Sequence, residues 1–345
     1  MIRYSKPLGE LPYFKQAFFT ANDLMLGDRK DIARIYQSQP ERKSCKNCDG
    51  FLDYESLSCF TNLGVDFCFC PNCGHCNGVF EDTEVFCRAL YTDNRGLDYA
   101  ENYNATDSYQ YEKRVSEIYL PKAKFLSDSL NEAGAQSVRL VDFGAGAGYF
   151  VSAAIEYGFN NVIGYEPSET LVDLGNTMIG EDRLIGHDLS EIVELIEQSD
   201  ATVASFIGVL EHLQNPREVL KAIRDNQNIR FVFFSVPLFS PTVVMESVFH
   251  GIMPRHLAGG HTHLYTEDSI EHFCNEFHFK RQSEWWFGLD IRDLIRSVSV
   301  SLKSDPLRVY WNDSFAPLVD KLQHVLDEAH VCSEVHMVLE KKELS

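Results

Sequence analysis

Three groups of residues in this chain have types and spacings that chemistry can use. The first is a pair of C-x-x-C turns, Cys45-Lys46-Asn47-Cys48 and Cys70-Pro71-Asn72-Cys73. Each turn can present two thiolates to one side of a tetrahedral ion, and two such turns close a four-cysteine zinc site. Gly74 after the second pair suits a positive-φ knuckle turn. A closed site of this kind leaves no position for water, so its zinc is structural, and a small module depends on it to fold. Cys59, Cys68, Cys76 and Cys87 are further thiols in the same stretch, and Cys68 or Cys76 could replace a ligand. The second group is the run Gly144-Ala145-Gly146-Ala147-Gly148, preceded by Asp142. A turn with so little side-chain volume lets backbone approach a ligand beside a helix N-terminus. Glu166 ends the next apolar run, where a carboxylate can accept hydrogen bonds from ribose hydroxyls. Asp142 is placed to organise contacts to an ammonium group. The third group is acid/base: Glu211-His212, and the histidines of Gly259-Gly260-His261-Thr262-His263. Imidazole titrates near neutral pH and is the usual general base there.

Alternating strands and helices must position these groups. Val138–Val141 reads as a buried strand, the glycine run as its turn and Tyr149–Tyr157 as the following helix. Asn161–Tyr165 is a second strand, Leu184–Leu189 carries a third and Asp188, and Ala201–Gly208 is a fourth. Phe231–Val236 is a fully apolar fifth strand; Lys280–Phe287 and Glu334–Lys341 suit the last two. The alternation predicts an α/β fold with a doubly wound, mostly parallel, seven-stranded sheet and an added N-terminal zinc-binding domain. Helices are expected over Asp28–Gln37, Ser168–Ile179, Ser190–Glu197, Pro216–Arg224 and Glu267–Phe277, with a helical insertion over 290–330. Tyr109–Ala133 has helical periodicity, kinked or split at Pro121. The chain divides into an N-terminal segment (1–44), a cysteine-rich domain (45–90), a linker and helical cap (91–136) and the α/β domain (137–345). Tyr91, Tyr99 and Tyr103 fall in a polar linker and lid over 81–107. A nicotinamide dinucleotide site would share the strand, turn, helix and acid. The glycines at 144, 146 and 148 depart from G-x-G-x-x-G, however, and Asp142 precedes them.

In order along the chain, Val141–Phe150 (VDFGAGAGYF), Glu166, Asp188 in LIGHDL, ATVASFIG and VLEHLQNP resemble the motifs of class I S-adenosylmethionine (SAM)-dependent methyltransferases. The resemblance runs from about Val138 to Lys341. It implies that Asp142, Gly144, Ala145, Gly146, Gly148, Glu166 and Asp188 bind SAM, with Glu166 at the ribose and Asp188 at the adenine. It also lays the Tyr109–Ala133 helix over that site, making Tyr109, Tyr111 and Arg114 candidates for the methionine end; Arg114 offers a fork for a carboxylate. Combined with the cysteine domain and its CPNCG segment (Cys70–Gly74), the chain resembles sugar methyltransferases that act on nucleotide-linked deoxysugars, C-methyltransferases above all. There the zinc module helps bind the nucleotide-sugar, and a loop carrying a tyrosine and a His-Glu-His segment does acid/base work. His261 and His263 align with those histidines, Thr262 replaces the glutamate and Gly260 the tyrosine, so O-methylation of a sugar hydroxyl fits as well as C-methylation. The expected catalytic set is His212, His263, His261 and Glu211; the expected zinc ligands are Cys45, Cys48, Cys70 and Cys73. His261 and His263 could instead ligate a metal. Ile207-Gly208-Val209-Leu210 stands where amino-methylating enzymes carry an NPPY-type segment, which disfavours N-methylation. A second reading makes the chain a methyltransferase-fold subunit or protein modifier that docks through its zinc domain.

Composition narrows the acceptor. Among 345 residues, 51 are acidic and 31 basic, a net charge of −20, and such a field repels a phosphate backbone. Nucleic acid is therefore a disfavoured partner and a small molecule the favoured one. No apolar run reaches the roughly 18 residues of a membrane span. The first residues lack the apolar core of a signal peptide, so the expected location is cytoplasmic. Eight of the ten cysteines lie between Cys45 and Cys87, a clustering that favours metal over disulfides in a reducing compartment.

Overall fold

The computed structural model describes residues 1–6, 20–91, 108–135, 137–257 and 261–342. Its strands are β1 (Ile2–Tyr4), β2 (Cys59–Asn62), β3 (Val65–Phe69), β4 (Cys76–Gly78), β5 (Leu140–Phe143), β6 (Val162–Glu166), β7 (Leu184–Gly186), β8 (Val203–Ile207), β9 (Phe231–Pro237), β10 (His263–Leu264), β11 (Phe279–Phe287) and β12 (Glu334–Lys341). They form two sheets. The larger has the order β1-β11-β12-β9-β8-β5-β6-β7, the smaller β10-β4-β3-β2. From β7 to β9 the large sheet is parallel; β12 runs antiparallel to β9, and β11 antiparallel to β12. Strand order reverses between β5 and β8, and a crevice opens at the carboxyl ends of strands at such a switch point.

The sheet has eight strands rather than the expected seven. The extra one, β1, lies parallel to β11 in the register Ile2↔Glu284, Arg3↔Trp285, Tyr4↔Trp286. Three residues are too few to show a period, and their partner lies at the other end of the chain. Trp285 fixes the join: its indole N–H donates to the Ser5 carbonyl at 2.8 Å, and the Arg3 guanidinium sits 3.9 Å from the ring centroid.

Burial on both faces explains the apolar strands. In β9, Val232 and Phe234 pack into one cluster with Phe143, Phe206 and Trp286. Phe231 and Phe233 pack into the other with Phe150, Phe125 and Trp285. Side chains alternate along a strand, so a strand covered by helices on both sides reads as a continuous apolar run. The predicted helix around Pro121 is divided: Ser108–Arg114, a π-helical turn Val115–Tyr119, then Leu120–Glu132 with the proline in its first turn. A proline there lacks only an N–H that the first turn would leave unpaired. The insertion over 290–330 contains three helices, Asp290–Ser301, Asp305–Phe315 and Val319–Glu328.

The cysteine-rich segment is built into the rest of the chain. β10, close to the GGHTH sequence, pairs antiparallel with β4 and completes the small sheet. Cys59 and Cys68 face each other across β2 and β3 and are joined as a disulfide, so Cys68 is not an alternative metal ligand. Cys76 and Cys87 are buried free thiols. Tyr99 and Tyr103 of the expected lid lie outside the described residues. The near side of that stretch, Glu84–Tyr91, is a helix.

A buried ion triad joins the parts. Asp82 accepts hydrogen bonds from Arg42 Nη2 (3.2 Å) and from Lys46 Nζ, and Lys46 also donates to the Leu213 carbonyl at 2.8 Å in the loop after β8. Burial raises the Asp82 carboxyl, and the two cations outweigh it and hold it below the usual carboxylate range. Asp82→Ala leaves two cations buried without a counter-ion, a change that costs about 3–5 kcal/mol. Thermal unfolding should show a fall of roughly 5–15 °C in Tm; a shift of about a degree would mean that the triad contributes little.

Candidate functional site

The glycine turn follows β5 at the switch point. Gly144, Gly146 and Gly148 have φ of +74°, +55° and +72°, in the left-handed region that a side chain disfavours. The Gly144 and Ala145 N–H groups donate to the Tyr165 carbonyl at 2.8 and 2.9 Å, which ties the turn to β6. A Cβ on Gly144 would lie 2.6 Å from Val209 Cγ2, so the turn packs directly on the loop after β8. A Cβ on Gly146 would meet nothing within 4 Å; this stretch of backbone faces open space. Glu166 Oε2 accepts the Gly146 N–H at 2.8 Å, and Oε1 accepts the Ser168 N–H at 3.0 Å. Burial raises the Glu166 carboxyl, opposed by those two bonds.

Asp142 lies within β5, two residues before the turn and 2 % exposed. Its Oδ1 accepts the Ser205 hydroxyl at 2.6 Å across the β5–β8 pair. Burial pushes this carboxyl up to about 7, against Ser205 and Lys122 and with Glu166. Tyr111 and Arg114 brace the turn. The Tyr111 hydroxyl donates to the Ala147 carbonyl at 3.0 Å, its ring stacks on Tyr149 at 4.6 Å, and the Arg114 guanidinium sits 4.9 Å from the Tyr149 ring centroid. Tyr109 is exposed. Asp188 caps the turn Leu189–Glu191. Both its oxygens accept Arg88 Nη2, at 2.8 and 2.9 Å, and Oδ1 also takes the Ser190 N–H and hydroxyl. Ser190 first, then Arg88, hold it well below the usual range.

The loop after β8 carries a second constellation. Gly208 (φ +69°) turns the chain into Val209–Leu213. Glu211 is 3 % exposed; its Oε1 is 3.9 Å from His212 Nε2, and its buried Oε2 has no hydrogen-bond partner among the described residues. Burial pushes Glu211 up to about 8, with Glu334 adding and Lys122 opposing. His212 Nδ1 lies 2.9 Å from the Tyr91 hydroxyl. His261 stands across from it, ring centroids 4.9 Å apart, and its Nδ1 donates to the His256 carbonyl at 2.7 Å. Burial first and His212 second hold His261 well below the usual imidazole range. One ligand-type atom from each of Glu211, His212 and His261 lies within 4.8 Å of the others.

His263 stands apart from this cluster. It is fully buried in β10, its Nδ1 2.8 Å from His75 Nε2 in the cysteine-rich sheet. Gly259 and Gly260 lie outside the described residues. Arg88 and Tyr91, on one helix over Glu84–Tyr91, reach Asp188 and His212, and sequence alone gives no sign of either contact. The only sequence signal is amphipathic: Arg88 and Tyr91 are three apart and so share a helix face.

The four expected cysteines converge. Their Sγ atoms lie within 4.8 Å of one another, with Cys45–Cys73 and Cys48–Cys70 each at 3.6 Å. Ligands of a tetrahedral zinc thiolate are about 3.8 Å apart. The Asn77 amide and the Asn47 N–H each donate to Cys45 Sγ at 3.4 Å, an outer shell that suits a thiolate. Four convergent thiols with these outer donors fit a tetrahedral zinc ion.

A family model described as a methyltransferase domain matches residues 111–284. Among solved structures, the chain is similar to magnesium protoporphyrin IX methyltransferase from Synechocystis PCC 6803, at 12% identity over 75% of this chain and 100% of that one, TM-score 0.46. It is similar to geranyl diphosphate C-methyltransferase from Streptomyces coelicolor A3(2), at 12% identity over 74% and 88%, TM-score 0.42. The plantazolicin methyltransferase BpumL aligns at 12% identity over 74% and 94%, TM-score 0.46. No curated protein sequence matches the chain.

Asp142 makes a pH prediction. Its folded carboxyl titrates near 7 and its unfolded one near 4. Between these values the folded state holds a proton that the unfolded state has lost. The stability this supplies is full below about pH 4, falls as pH rises, and is gone above about pH 7. Asp142→Asn removes the titration. Thermal unfolding should show wild type losing roughly 2 kcal/mol relative to the variant between pH 5 and 8. A constant difference across that range would contradict the assignment.

Proposed function

Because the chain belongs to the methyltransferase-domain family, we propose that it transfers a methyl group from SAM to a small-molecule acceptor. The observation that carries this reading is the open backbone at Gly146, with the Glu166 carboxylate on its N–H, at the sheet's switch point. Such a cradle admits a ligand against bare backbone, beside a helix N-terminus. Gly144–Gly148 would hold SAM, with Glu166 directed to its ribose hydroxyls, Asp142 below and Asp188 at the adenine side. Bound there, SAM supplies an electrophilic methyl group on a sulfonium centre. Tyr111 and Arg114 hold the turn and its helix in place through Ala147 and Tyr149.

The acceptor's proton is handled in the second constellation. Val209 packs on Gly144, so the loop with Glu211 and His212 stands against the glycine turn. Glu211, His212 and His261 converge there, and convergent acid/base groups next to a bound cofactor suit deprotonation of a hydroxyl or activated carbon acid. His263, paired with His75 in the small sheet, lies outside this cluster, and we assign the acid/base work to the other three. We assign structural zinc to Cys45, Cys48, Cys70 and Cys73. The finer reading, a nucleotide-linked sugar methylated at oxygen or carbon, rests on the CPNCG segment joined to this domain. A docking role for the cysteine-rich segment is less favoured, because β10 makes its sheet continuous with the rest of the chain.

Titration calorimetry with SAM and S-adenosylhomocysteine tests the cofactor. Wild type should bind both at micromolar Kd. Gly146→Arg fills the open space at a positive-φ position and should weaken binding more than tenfold, over 1.4 kcal/mol, with the fold retained by circular dichroism. Unchanged affinity would sink the assignment. A thermal-shift screen of nucleotide-sugars tests the acceptor; no shift with any of them, in SAM-saturated protein, would remove the sugar reading and leave methyl transfer standing.

A further inference from the structure

We propose that Glu211, His212 and His261 form a binding site for a divalent first-row transition cation, separate from the four-cysteine site. Two imidazoles and one carboxylate are a donor set that such ions take, with positions left open for another ligand. The three residues come from two distant parts of the chain, and their donor atoms all fall within 4.8 Å. Glu211 Oε1 and His212 Nε2 are 3.9 Å apart. Ligands at about 2.05 Å from a tetrahedral ion are about 3.3 Å apart, so closure brings Glu211 and His212 about 0.6 Å closer and the other pairs together by up to about 1.5 Å, within reach of side-chain rotation.

The surroundings prepare each ligand. A carbonyl can only accept, so the 2.7 Å bond from His261 Nδ1 to the His256 oxygen fixes the proton on Nδ1 and leaves Nε2 with its lone pair. The Tyr91 oxygen, 2.9 Å from His212 Nδ1, can do the same for the second imidazole. Metal-bound histidines are generally oriented by such a bond at the other nitrogen. Glu211 supplies the independent sign. Its Oε2 is buried and has no hydrogen-bond partner among the described residues. Buried polar atoms are nearly always satisfied, and an exception calls for an unrecorded partner. A cation bound by this carboxylate would supply that partner.

The site's chemical role rests on the methyl-transfer reading above, although its existence does not. Held against the glycine turn by Val209, a cation would take the acceptor through a hydroxyl or neighbouring oxygen and ease loss of its proton. That favours an oxygen-rich acceptor with two oxygens in chelating reach.

The test counts metal in the full chain. Protein dialysed against Zn2+ and desalted is analysed by plasma mass spectrometry, and a parallel Co2+ titration is followed by absorbance. Wild type should hold two zinc ions per chain. Glu211→Gln, which keeps the side chain's shape, and His261→Gln should each hold one. The first Co2+ equivalent should show thiolate charge transfer and the second only ligand-field bands. Tyr91→Phe should keep both sites and weaken the second roughly tenfold. One zinc per wild-type chain, or two in both Gln variants, overturns the proposal. SAM titration of the same samples separates the two readings. SAM binding with a single metal would end this inference and leave methyl transfer intact. Two metals without SAM binding would do the reverse.

Discussion

A single buried carboxylate, Asp82, anchors the contact between the cysteine-rich segment and the loop after β8. It faces Arg42 and Lys46, all three nearly inaccessible to water. Lys46 sits inside the first C-x-x-C turn, and its ammonium reaches past Asp82 to the Leu213 carbonyl. That carbonyl is one residue beyond His212. The loop after β8 is thus tied to the cysteine-rich segment through one ammonium group. Breaking such a buried arrangement at one member exposes the others to an uncompensated desolvation penalty, so the three hold or fail together. The helix that starts just after Asp82 extends the link, because its Arg88 and Tyr91 reach Asp188 and His212.

The glycine turn depends on this arrangement from the opposite side. It needs a neighbour small and close enough to pack against Gly144, and Val209 provides it. A side chain at Gly144 would push the loop after β8 away, and with it Glu211 and His212. The glycine turn and the loop bearing Glu211 and His212 are therefore two faces of one contact at the β5–β8 switch point. The cysteine-rich segment bears on this contact as well: β10 holds His263 against His75 and carries the chain into register for His261 to meet His212.

Three carboxyls, Asp142, Glu166 and Glu211, are buried along this edge, and burial raises each of them. Buried acids are costly unless paired. Glu166 is held by two backbone N–H groups and Asp142 by Ser205, whereas one oxygen of Glu211 is without a partner among the described residues. Clustered acids displaced from their ordinary titration range mark sites that meet a cation or an ordered polar ligand.

Sequence alone determined whatever depends on local spacing. The glycine turn, its flanking strand and helix, the all-apolar β9 and both C-x-x-C turns are legible because φ freedom, a two-residue period and short-range thiolate geometry are local properties. Glu166 was legible for the same reason, at the end of the next strand. Tertiary structure decided everything that needs two distant segments to meet. β1 is three residues long and exists only because β11 offers an edge, so the eighth strand had no signature of its own. Cys59 and Cys68 paired because β2 and β3 set them opposite each other, which spacing cannot specify. His261 and His263 are two apart and were equivalent in the sequence; pairing of β10 with β4 sent one to His75 and left the other for Glu211 and His212. Which histidine meets Glu211 and His212 is fixed by strand register, a long-range quantity that no local pattern contains.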